Sequence, residues 1–107
     1  MLLTTTDHLP DRTYEVIGLV RGASIRSRNL FQDIGEWLRN LVGAELHHYT
    51  KMMAETREQA LDRMTAQARD LGAQAVIGIR FATSGIAAGA AELLAYGTAV
   101  RFVEERG

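Results

Sequence analysis

Apolar and polar positions divide the chain into alternating strand-like and helix-like stretches. Val16, Ile17, Leu19 and Val20 sit in a β-branched-rich run, and the turn residues Pro10 and Asp11 lie just upstream, so Tyr14 to Gly22 reads as a strand. Thr4, Thr5 and Thr6 add a short extended piece before it. Leu30, Phe31, Ile34, Trp37, Leu38, Leu41 and Val42 then recur at helical spacing as one broad apolar stripe. Asn29 with Gln32 forms a variant capping box, Asp33 puts a negative charge in the first turn, and Gly43 offers a left-handed exit. A second helix is predicted from Ala44 to Leu71, ending at Gly72, with the stripe Leu46, Tyr49, Met53, Ala60, Leu61, Met64, Ala68 and Leu71. Its opposite face carries Glu55, Glu58, Asp62, Arg63, Arg69 and Asp70, an ordinary solvated face. At about 1.5 Å per residue this helix reaches ~40 Å, long for so small a chain. Ala75 to Ala82 and Glu92 to Val103 read as two more strands. The stretch between them, Thr83 to Ala91, has little turn chemistry beyond its glycines and is expected to be a mobile hairpin loop.

These elements predict an α+β fold in the order β-α-α-β-β, a small antiparallel three-stranded sheet packed against two helices, in a single domain over residues 1–107. Strict alternation puts Ala75, Ile77, Ile79 and Phe81 on one face of their strand, and Val76, Gly78, Arg80 and Ala82 on the other. Neither sheet face comes out cleanly polar, although an antiparallel sheet with one solvated face alternates apolar and polar. Two helices on one face leave a second apolar face and at least one edge strand uncovered. Association with copies of the chain hides both, which makes a homo-oligomer the expected state.

Composition and charge narrow the chemistry. The 107 residues carry twelve Lys and Arg against thirteen Asp and Glu, a formal charge of −1 that argues against a general nucleic-acid binder. Cys is absent, which removes disulfides, thiolate metal sites and thiol catalysis together. Of the 47% hydrophobic residues, 15 are Ala, so the core must be built largely from small side chains. No basic and apolar leader stands at the start, and the Ser84–Tyr96 stretch is broken by Glu92, so neither a signal peptide nor a membrane span is expected. With no Cys, this points to the cytoplasm.

Candidate sites are few. A soft-metal site wants thiolates, and in their absence the donors are His8, His47, His48, carboxylates and Met. Glu45 and His48, three apart on the second helix, form a Glu-x-x-His pair that becomes a metal site only when other copies donate partners. His47 and His48 diverge by about 100° and do not chelate from one face. Arg21, Arg26 and Arg28 lie in an acid-free stretch leading into the first helix, a candidate anion or nucleic-acid contact. Arg80 and Arg101, on strands, are expected to pair across the sheet or with an acidic helix residue. For catalysis, Ser24, Ser27 and Ser84 lack a nucleophile elbow, no His–acid pair has diagnostic spacing, and Gly85 and Gly89 lack the phosphate-loop pattern and its Lys. No enzyme is expected. Gly18, Gly78 and Gly97 are read as sites of bulges or close packing.

Several runs in order carry a resemblance: Asn29-Leu30-Phe31-Gln32-Asp33, Leu38-Arg39-Asn40-Leu41-Val42-Gly43, Glu45-Leu46 with Tyr49-Thr50, and Ala60-Leu61-Asp62-Arg63-Met64. Ala68 to Gly78 and Tyr96-Gly97-Thr98-Ala99-Val100 complete it. From about Thr4 to Val103 the chain resembles the YbjQ family, which is uncharacterised and carries the label "putative heavy-metal-binding". The family's usual glycine pair is Gly43-Ala44 here. The resemblance implies a dodecin-like subunit that forms a ring, a pentamer of identical chains. The expectation is therefore a non-catalytic homo-oligomer without a cofactor, with no membrane or nucleic-acid partner and a ligand left open. The alternatives are a metal binder using Glu45 and His48 in symmetric copies, and a weak anion or nucleic-acid binder through Arg21, Arg26 and Arg28.

Overall fold

In the computed structural model, which describes residues 1–27, 43–87 and 90–104, the chain runs β1 (Leu2–Leu3), β2 (Tyr14–Ser27), α1 (Gly43–Asp70), β3 (Ala75–Ala87) and β4 (Ala90–Phe102). The sheet has four strands in the order β1-β3-β4-β2 and is mixed, because β1 pairs in parallel with β3 while the other pairs are antiparallel. This corrects the expected three-stranded antiparallel sheet with two helices, of which one lies among the described residues. A two-residue strand has no periodicity to read, and β1 joins the sheet through backbone bonds. Those bonds continue past it: Thr4 N–H donates to Val76 C=O at 3.0 Å, and Gly78 N–H to Thr6 C=O at 2.7 Å. The described residues hold one helix, α1; the helix expected over residues 29–42 lies outside them.

α1 follows its expected bounds closely. Gly72 stands just beyond its end with φ 81°, and Ala73 N–H donates back to Ala68 C=O at 3.0 Å, closing the last turn. The strands run longer than expected. β2 continues past Gly22 to Ser27, and the pairs Thr83↔Leu93, Ser84↔Glu92 and Gly85↔Ala91 carry the β3–β4 hairpin into the stretch expected to be a loop. A backbone ladder needs no large side chains, so Ala and Gly there did not signal it.

The main core lies between α1 and the sheet. Val20, Ala60, Met64, Ala68, Val76, Ile79, Ala95 and Ala99 are buried there, with Ile17, Leu61 and Ala73 packed around them. Leu71, expected on the buried stripe, is half exposed. A second cluster, Ala75, Ile77 and Val100 with Leu9, Tyr14 and Phe102, sits elsewhere on the sheet. The split corrects the simple face count on β3. Gly78 adopts φ 62°, and an extra residue is inserted between the pairs Ile77↔Thr98 and Arg80↔Tyr96. This bulge moves Ile79 to the face of Val76 instead of that of Ile77. On β2, where strict alternation would put Ile17 on the face opposite Val20, a second irregularity between Val16 and Gly18 brings Ile17 to the core of Val20.

Candidate functional site

α1 lies mainly on β2 and β4, and along β2 it comes very close. A Cβ placed on Gly22 would stand 2.2 Å from Met64 N and 2.3 Å from Ala60 O, so only glycine allows the helix backbone to rest on the strand. Beside this contact, polar residues one helical turn apart reach β2. Gln67 Oε1 accepts the Arg21 backbone N–H at 2.7 Å, Arg63 donates to the Ala23 carbonyl, and Gln59 Oε1 accepts from the buried Ser24 hydroxyl at 2.6 Å. β2 is the outer strand on this side, and these side chains reach its backbone at Arg21 and Ala23.

Among the described residues, the sheet's other face is only partly covered. Its lower end is closed by Leu9, Tyr14 and Phe102. His8 Nδ1 hydrogen-bonds to the Tyr14 hydroxyl at 2.9 Å, and the Arg12 guanidinium stacks on the Phe102 ring at 3.8 Å. Farther along β2, Val16, Leu19 and Ile25 are exposed at 63%, 65% and 54%. Leu19, Arg21, Ala23 and Ile25 face the half-buried Thr98, Tyr96, Leu94 and Glu92 across the ladder, a strip in which the apolar residues are interrupted by Arg21, Thr98 and Glu92. On the helix side, a groove of about 400 Å³ lies between α1 and the β1 edge, lined by Leu3, Thr4, Thr5, Leu61, Ile79 and Phe81.

The sequence-predicted sites fare unevenly. Glu45 and His48 both lie on α1, one turn apart. Among the described residues, no group of three or more His, Cys, Asp or Glu could hold a metal ion. Two donors do not complete a coordination shell, and with no Cys in the chain the described residues of one copy do not fit a heavy-metal centre. Arg21 and Arg26 both lie on β2, five positions apart, paired with Tyr96 and Ala91 in the ladder. Arg28 lies outside the described residues. Arg101 pairs across the sheet with Glu15, its direct ladder partner, as expected. Arg80 finds its acid in the N-terminal segment instead of on the helix: it reaches Asp7 at 3.4 Å and donates to the Thr5 carbonyl at 2.8 Å. The role of Gln59, Arg63 and Gln67 went unread, since Arg63 was placed on the solvated face. The available signal was the recurrence of long polar side chains every four residues along the border of the buried stripe.

The family model described as "Putative heavy-metal-binding" matches residues 1–103. The chain belongs to the YbjQ family. A UPF0145 protein of Methanoculleus marisnigri is 51% identical over 107 residues, covering 99% of this chain and 100% of that relative. Another from Methanococcus vannielii is 52% identical over 101 residues, covering 94% and 96% of the two chains. One from Clostridium perfringens is 48% identical over 101 residues, covering 94% and 95%. Among solved structures, a protein of unknown function of the DUF74 family from Pediococcus pentosaceus shares the fold, with a TM-score of 0.65 at 17% identity over 96% of this chain and 98% of that one. YbjQ membership thus spans nearly all of this chain, including α1 with Glu45 and His48.

Proposed function

We propose that this YbjQ-family protein is a non-catalytic homo-oligomer whose assembled form is the functional unit. The observation that carries the reading is the apolar strip of Val16, Leu19 and Ile25 with Leu94 and Tyr96 on the sheet face away from α1. Large apolar side chains gathered on one exposed face of a small protein, even with Arg21, Thr98 and Glu92 among them, support an interaction surface. The shape supports it as well. The radius of gyration is 17.6 Å, against about 13 Å for a compact domain of this length. A ring of five copies is the specific form proposed, with copies of the chain as the principal partner. Native mass spectrometry at micromolar concentration tests it: a multiple of the 11.8 kDa chain is expected, and a monomer overturns it.

The family's heavy-metal description supports a second reading, in which Glu45 and His48 bind metal in symmetric copies. Two donors per chain, one turn apart on the long helix, make a shell only through assembly. The test is metal content after purification without a His tag. His48→Ala is expected to lower uptake, and equal uptake by wild type and variant removes His48 from the site.

A further inference from the structure

We infer that Gln59, Arg63 and Gln67 form a lock that withdraws the β2 edge from strand pairing. The inference goes beyond the proposed assembly and does not depend on it. An outer strand presents unpaired N–H and C=O groups at every second residue, and these are the groups an added strand would bond. On β2 the ladder to β4 runs without irregularity from Gly18 to Ser27, so the outward-pointing groups belong to alternate residues of that run. Arg21 and Ala23 are two such residues. Gln67 takes the N–H of Arg21, and Arg63 takes the C=O of Ala23. Gln59 adds a bond to the Ser24 hydroxyl and holds its end of the row in place.

The three side chains are spaced at i, i+4 and i+8, so they form a row along one side of α1. That row stays in reach of the strand because Gly22 lets the helix backbone descend onto it. Helix side chains thus stand where a neighbouring strand's backbone would bond. The exposed Arg63 and Gln67 give this arrangement a polar, solvated exterior of flexible side chains in place of a regular row of backbone groups.

Two variants test the lock. In Gln67→Ala, the Arg21 amide is expected to exchange with solvent about 5- to 10-fold faster than in wild type, the effect of losing one hydrogen bond. The Val20 and Gly22 amides, which alternate toward β4, keep their rates and so report that the fold is intact. In Arg63→Ala/Gln67→Ala, the opened edge is expected to recruit strands of other copies, giving high-mass, thioflavin-positive species that wild type does not form. Unchanged exchange at Arg21 overturns the lock. So does faster exchange in a double variant that stays at the wild-type mass without thioflavin signal.

Discussion

Gly22 sits where α1 crosses β2, and the distances there leave no room for a side chain. An added methyl would meet helix backbone at 2.2 and 2.3 Å, and backbone cannot move aside by changing rotamer. Gly22→Ala is therefore expected to destabilise the protein by about 3 kcal/mol or more in urea unfolding. Gly72→Ala serves as the contrast: its φ of 81° costs an alanine only about 1–2 kcal/mol, and the space around it is open. A smaller loss at Gly22 than at Gly72 would contradict the close approach. The sequence singled out Gly18, Gly78 and Gly97 for bulges or close packing. Gly18 and Gly78 do mark register shifts, and Gly97 packs against Val76 and Ile79. Gly22 carried no such signal, because the requirement comes from a helix about 40 residues away in the chain.

At the scale of elements, α1 was the most legible. Its apolar stripe placed Ala60, Met64 and Ala68 in the core, and Gly72 marked its end. The strands were located but their lengths and faces were not. Alternation assumes a regular pleat, and the bulge at Gly78 breaks it, moving Ile79 under the helix and Arg80 to the pair with Tyr96. Gly78→Ala tests the bulge. Alanine at φ 62° is strained by about 1–2 kcal/mol, and its Cβ would also press on Asp7 Oδ1 at 3.3 Å. A stability loss of that order is expected, with amide protection falling first where Thr4 and Thr6 bond to β3. A neutral substitution would mean that β3 can dispense with the bulge.

The whole molecule is elongated, with extents of 63 × 30 × 19 Å. Long elements are the cause. A 28-residue helix reaches ~42 Å at about 1.5 Å per residue, and β2, β3 and β4 run 13 or 14 residues each. Among the described residues, such a layer buries one face against α1 and leaves Val16, Leu19 and Ile25 exposed on the other. Leu19→Asp with Ile25→Asp, which puts charges on the strip, is expected to break the proposed oligomer into lower-mass species in native mass spectrometry. Leu71→Asp, on an exposed position at the end of the core stripe, is expected to leave the mass unchanged. The proposed interface is wrong if the strip variants assemble like wild type.

Local pattern was enough for the long helix, the existence and order of β2, β3 and β4, the small-residue core, and membership in a family readable over most of the chain. These depend on periodicity, caps and short runs of neighbouring residues. Tertiary structure alone decided the parallel β1 strand, the bulges that reassign Ile17 and Ile79, the descent of α1 onto Gly22, and the row of Gln59, Arg63 and Gln67 on the sheet edge. Each of these depends on which distant backbone groups meet. Residues such as Arg63 and Gln67 read as solvated until the strand beside them is known.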